Sequence, residues 1–192
     1  MANNDTNRVL FGFSELYIGT YEVDPDTKAV TMGSPYHQEG AVGFSPESQG
    51  EEVDFFADDY DYFTDTAVGP RSGDLVVAKY DRAFKKDFLG YKETATGGLA
   101  EVLNPVKPHV YVAFQVKGDA HGMRVIMYNG SLGNPEREYN TMEGSRTPVT
   151  ESCPAKFVGD QESGIIVATY FEGDAGYDTL FTNPPAPELA SE

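Results

Sequence analysis

The chain has no tryptophan, one cysteine and three histidines, and its fourteen Lys and Arg face thirty-one Asp and Glu. A lone thiol, Cys153, can close no intramolecular disulfide and build no multi-cysteine zinc site, which suits a reducing compartment. Its surroundings, TESCPAKF, offer no activating group, so the thiol reads as inert. His37, His109 and His121 lie far apart and show none of the paired spacing of a zinc site. No apolar run approaches the roughly eighteen residues that cross a bilayer, and MANNDTNRV lacks the basic-then-apolar pattern of a signal peptide. A soluble product made in the cytoplasm is expected. The shortage of cations, with a net charge of −17, argues against gripping a phosphate backbone and fits a surface past which nucleic acid slides.

Motifs of chemistry are equally scarce. The acidic run ADDYDYFTD, with Asp58, Asp59, Asp61 and Asp65, lacks the glycine and distal glutamate of an EF-hand loop and reads as a turn between strands. The glycines of TATGGLAE match neither phosphate-cradling pattern, and no nucleophile elbow is present. With thirty-one acids, chance carboxylate pairs are unavoidable, so a glycosidase reading has no specificity. No catalytic residue, cofactor or metal is expected, and the chain is not read as an enzyme.

What is present is strand. In HVYVAFQVK, Val110, Val112, Phe114 and Val116 share one face, and His109, Tyr111, Gln115 and Lys117 the other. MRVIMY follows after GDAHG with Met123, Val125 and Met127 on one face, so the two form an antiparallel hairpin. FSELYIGTYEV, EEVDFFA, DYFTD, DLVVAKY and GIIVATYF are further strands, rich in aromatic and β-branched residues. DRAFKKDFLG is the one helix: Asp81 caps it, Phe84, Phe88 and Leu89 form its apolar stripe, and Gly90 ends it. One helix on one sheet leaves apolar faces wet, which calls for a second layer.

The expected fold is therefore mainly β: two packed sheets, sandwich- or barrel-like, with one short flanking helix and extended loops or arms. Residues 1–182 form a single domain with an N-terminal arm and long loops at about 32–51 and 129–154. Residues 183–192 form a flexible tail.

The order of these segments resembles the major tail protein (tail tube protein) family of long-tailed siphophages. The likeness runs from FGFSELYIGTY through EVDFFADDYDYF and SGDLVVAKYDRAFKKDFLGY to GGLAEVLNPVKPHVYVAFQVKGDAHGMRVIMYNGSLGNPERE. It covers roughly Phe11 to Phe157 and is most specific at the helix ending Leu89-Gly90 and the strand pair after it. One departure is Gly130, where many members carry a cysteine after the Tyr-Asn. The resemblance implies a structural virion protein, made in the bacterial cytoplasm, whose subunits form rings, commonly hexameric, stacked into a tube. DNA passes through the lumen without specific binding. The implied partners are further copies of the chain and other tail proteins (tape measure, tail terminator, distal tail), with no membrane. Candidate contacts between subunits are Phe11, Phe13, Tyr17, Tyr36, Phe44 and Tyr139. The competing reading is a carbohydrate-binding or adhesin-like β-sandwich with Tyr60 and Tyr62 as sugar platforms, although such sites often use the tryptophan this chain lacks.

Overall fold

The computed structural model describes residues 12–50, 52–57, 60–117, 122–139, 141 and 148–190; for 52–57 and 60–66 it describes the backbone alone. Among these run fifteen strands and one helix. In chain order they are β1 (Phe13–Val23), β2 (Val30–Met32), β3 (Tyr36–Gln38), β4 (Ala41–Phe44), β5 (Glu47–Ser48), β6 (Glu52–Ala57), β7 (Tyr60–Thr66) and β8 (Arg71–Val77). The helix α1 (Arg82–Asp87) precedes β9 (Lys92–Glu93), β10 (Leu99–Ala100), β11 (Val110–Val116), β12 (Met123–Leu132), β13 (Glu136–Arg137), β14 (Glu151–Phe157) and β15 (Val167–Phe171).

The fold is mainly β and of the sandwich class. Its large sheet follows the order β2-β1-β11-β12-β14-β8-β4, and two further sheets hold two strands each, β9 with β10 and β6 with β7. Because β4 at one end of the large sheet lies against β1 near the other, the sheet curls over on itself and supplies both layers. The inward alternation read from sequence fills the space between them. Leu16 and Ile18 of β1, Val110 and Val112 of β11, and Leu75 and Val77 of β8 are all fully buried there. At roughly 1.5–3 kcal/mol for each large apolar side chain removed from water, this cluster is the dominant stabilising term.

Two bulges re-phase the pattern. Between Ser14 and Tyr17 the ladder from β1 to β11 slips by one residue, with Glu15 at φ 53°, so Phe13 and Leu16 reach the same interior although three positions apart. On β12 the slip falls between Met127 and Gly130, with Asn129 at φ 52°, a conformation asparagine tolerates. The displaced Asn129 is buried but satisfied: its amide donates to the Gly159 carbonyl at 2.7 Å, and its oxygen lies 2.7 Å from His109 Nδ1. Beyond it, a Cβ on Gly130 would stand 2.4 Å from the Phe157 ring. That packing leaves room for glycine alone at this position.

The helix forms as its sequence indicates. Asp81 accepts a hydrogen bond from the Phe84 N–H at 2.8 Å, and Gly90 turns the chain away at φ 69°. Phe84, Phe88 and Leu89 enter the main core, where Phe84 stacks on Tyr80 at 4.5 Å.

Two sequence expectations change. Residues 32–51 are not one long loop, since β3, β4 and β5 lie within them and pair with β1 and β8. The stretch 129–154 likewise holds the end of β12, all of β13 and the start of β14. On the second face of β11, Tyr111 is fully buried with Tyr21, Ala113, Ile126, Tyr128 and Leu180 in a second core. The C-terminal segment covers this face. Arg124 is held between the Tyr177 and Phe181 rings at 4.1 and 4.4 Å, and Phe181 stacks on Tyr17. Farther on, Pro184 and Pro187 are buried and the Pro185 carbonyl accepts from Tyr128 Oη at 3.1 Å, so residues 184–187 run along this core.

Candidate assembly surfaces

Strands β6 and β7 form a two-stranded ribbon of their own. Its strands pair antiparallel over Glu52↔Thr66 to Ala57↔Tyr60, and among the described residues they pair only with each other. It grows out of β5 and β8, which hold Glu47 opposite Ser72 and Ser48 opposite Arg71, and the Gln49 N–H continues the ladder to the Pro70 carbonyl at 2.8 Å. At this base the two backbones nearly touch. A Cβ on Gly50 would lie 1.8 Å from the Ala67 oxygen, and one on Gly69 would lie 2.6 Å from the Gln49 oxygen, so both positions require glycine. At about 3.3 Å per residue the ribbon is roughly 20 Å long. The strands carry five aromatic residues (Phe55, Phe56, Tyr60, Tyr62 and Phe63) and four acids (Glu52, Asp54, Asp61 and Asp65), with no Lys or Arg. Asp58 and Asp59 lie outside the described residues.

The opposite end of β8 leads into α1, and there the charge is reversed. From Lys79 to Glu93 stand five bases and three acids in a chain whose total is −17. Two of the acids are engaged locally: Asp81 caps the helix, and Glu93 is shared by Arg82 at 3.2 Å and Lys86 at 3.1 Å. Those two cations hold the Glu93 carboxyl below its ordinary range, Lys86 more strongly. Lys79 and Lys92 are exposed and form no ion pair among the described residues. Lys85 instead reaches a buried carboxylate: Glu151 lies 3.0 Å from Lys85 Nζ and 3.3 Å from the Arg137 guanidinium, and accepts the Tyr80 N–H at 2.9 Å.

The candidate contact residues read from sequence are not brought to one surface. Phe11 and His121 lie outside the described residues. Phe13 packs on Phe114 at 5.1 Å, and Phe44 meets Phe114 and Phe157 edge-on at 6.0 Å. Tyr36 lies against Phe88 at 5.9 Å and hydrogen-bonds Asp81, while Tyr17 lies between His37 and Phe181. These four rings are half-buried in contacts within the chain. Tyr139 is 85% exposed, with Arg137 over its ring at 5.3 Å. The more exposed apolar pair, missed in the sequence, is Leu103 and Val106 at 96% and 94%. They flank the turn at Asn104, which Lys107 braces by bonds to the Leu132 carbonyl and Asn134. The contrast between the acidic ribbon and the basic helix was visible as a local charge count but not as two ends of one strand.

A groove of about 830 Å³ crosses β8, β14 and the end of β12, floored by small residues such as Ser72, Gly73, Ser131 and Gly133. Among the described residues lining it, Phe44 is the one aromatic. Cys153 is fully buried, and burial pushes its thiol up to about 12, despite the nearby Lys107 and a bond with Tyr80. Among the described residues no group of three or more His, Cys, Asp or Glu could hold a metal ion, and no helix is long and apolar enough to cross a membrane. The chain matches no model of a known protein family and no curated protein sequence.

Proposed function

We propose that this chain is a self-assembling structural subunit, the major tail subunit of a long-tailed phage, whose copies form rings that stack into a tube for DNA delivery. The observation that carries this reading is the β6–β7 ribbon. An isolated two-stranded ribbon is at best marginally stable in water, and unpaired strand edges are templates for another chain. The backbones approach closely at its base, at Gly50 and Gly69, and its strands pair with nothing else among the described residues, so in this reading a neighbouring copy supplies the strand partner they lack. The double burial of β1, β11 and β12 supports the same reading, since a rigid body is what holds a projecting element in register. Rings are taken as hexameric on the family resemblance. The other tail proteins (tape measure, terminator and distal tail) are the partners at the ends of the tube. A net charge of −17 favours a lumen from which DNA is repelled rather than held.

The test is negative-stain electron microscopy together with size-exclusion chromatography over a range of protein concentrations. Rings or tubes are expected. A strict monomer at every concentration would overturn the assembly reading, and binding of glycans on an array would then favour the carbohydrate-binding module.

A further inference from the structure

We infer that Lys107 and Asn134 are the partners of an intramolecular isopeptide bond, which the folded chain forms by itself with Glu101 as acid–base catalyst. The bond is independent of the assembly role proposed above and rests on three groups that the fold brings together. Lys107 Nζ lies 2.6 Å from Asn134 Oδ1, although the two residues are 27 positions apart. The amide carbon is bonded to that oxygen, so the amine stands about 3–4 Å from the atom it would attack. On the other side of the amide, Asn134 Nδ2 donates to Glu101, whose second oxygen accepts the Tyr91 hydroxyl at 3.0 Å. A lysine head donates and a carboxylate accepts, so together they fix the amide with its carbonyl towards the nucleophile and its leaving nitrogen towards the acid. Lys107 and Asn134 are both half-buried. The lysine is also held in place: its Nζ donates to the Leu132 carbonyl at 3.1 Å, close to the buried Cys153. Its turn is pressed on Gly90, where a Cβ would stand 2.8 Å from Pro105 and 2.9 Å from the Val106 oxygen.

In the reaction the unprotonated amine turns onto the face of the amide, and its nitrogen bonds to Cγ. The Cγ–Nδ2 bond breaks, and a proton from the attacking nitrogen passes through the Glu101 carboxylate to the departing one, which leaves as ammonia. One amide replaces another, so no oxidant or reductant is consumed. The product ties the turn before β11 to the end of β12 and closes the open end of that hairpin, where Val110 faces Gly130. The test is tandem mass spectrometry of a tryptic digest of the denatured full chain. Trypsin spares Lys107 because Pro108 follows it, so the linked product is residues 93–117 joined to residues 125–137, lighter than the two peptides together by one ammonia. The parent is expected to give this product, and Lys107→Arg and Asn134→Ala to give none, with circular dichroism confirming that each is folded. Glu101→Gln keeps the shape and is expected to yield about a tenth or less after the same incubation. Two unlinked peptides of full mass in the parent overturn the bond and leave the three residues as a hydrogen-bonded brace. An ammonia loss that persists in Lys107→Arg, as a succinimide at Asn129-Gly130 would give, overturns it too. A Glu101→Gln yield equal to that of the parent overturns the role of Glu101.

Discussion

Replacing Glu151 with alanine should loosen the junction between β8 and α1 more than any other single polar change in the described structure. The carboxylate is 3% exposed, accepts the Tyr80 N–H at 2.9 Å, and sits 3.0 Å from Lys85 and 3.3 Å from Arg137. Tyr80 is itself 1% exposed, so its N–H would lose its partner where water cannot replace it, at a cost of about 1–3 kcal/mol. Breaking a fully buried ion pair costs roughly 3–5 kcal/mol, but Lys85 and Arg137 keep part of their surface in water and can turn outward. A total near 3 kcal/mol follows, which for a chain of this length lowers Tm by about 6–12 °C. Glu151→Gln keeps an oxygen for the Tyr80 N–H and should cost about half as much. Calorimetric melts of the parent and both variants give the ordering, and hydrogen exchange of residues 80–88 reports whether the loss is local. A Glu151→Ala melt within about 2 °C of the parent, or a glutamine variant as damaged as the alanine one, would refute this account of the junction.

Leu180→Ala removes a fully buried side chain from the second core and should cost about 2–5 kcal/mol, with increased binding of a hydrophobic dye as Tyr111 and Tyr128 are uncovered; an unchanged urea midpoint would contradict this. Gly130→Cys should cost about 1–3 kcal/mol because its Cβ strikes the Phe157 ring, a loss partly recovered by Phe157→Leu in the same urea titration. Burial alone would raise the Asp160 carboxyl, but hydrogen bonds from Ser163, Tyr21 and Glu162 outweigh it and hold it below its usual range. A carboxyl depressed in the folded state stabilises above its unfolded pKa of about 4, and that contribution is lost as pH falls through the folded value. Urea unfolding between pH 6 and pH 3 should therefore show a steeper acid loss in the parent than in Asp160→Asn.

Much of the fold was legible because its strongest local signals agree with its packing. FSELYIGTYEV became the full length of β1, the HVYVAFQVK and MRVIMY pair became β11 and β12, and Asp81 and Gly90 bound the helix. β14 escaped notice for a physical reason. Proline interrupts a ladder, so Pro154 argues against a central strand. It is tolerated because β12 pairs with β14 only at 155–157 and β13 only at 151–152, leaving Pro154 in the gap between them. The strands within 32–51 span two to four residues each, too short for any period to register, and they exist only through their pairing with β1 and β8. The C-terminal segment, rich in Pro and Ala, carries no amphipathic signal, yet Leu180 and Phe181 in the residues before it are enough to cover an aromatic face.

The candidate surfaces were harder to see, because a surface is defined by what an element fails to pair with. Aromatic residues near the ends of predicted strands suggested contacts between subunits, but Phe13, Tyr17, Tyr36 and Phe44 are engaged in holding the layers of one copy together. The ribbon has as dense an aromatic sequence, and its strands pair only with each other among the described residues. What separates the two cases is the crossing at Gly50 and Gly69. Its close backbone approach lets the ribbon leave the sheet, and any side chain there would force the strands apart. Gly50→Val or Gly69→Val should thus disturb assembly far more than it disturbs the melting of the body, whose two cores lie beyond the crossing and share no residue with it.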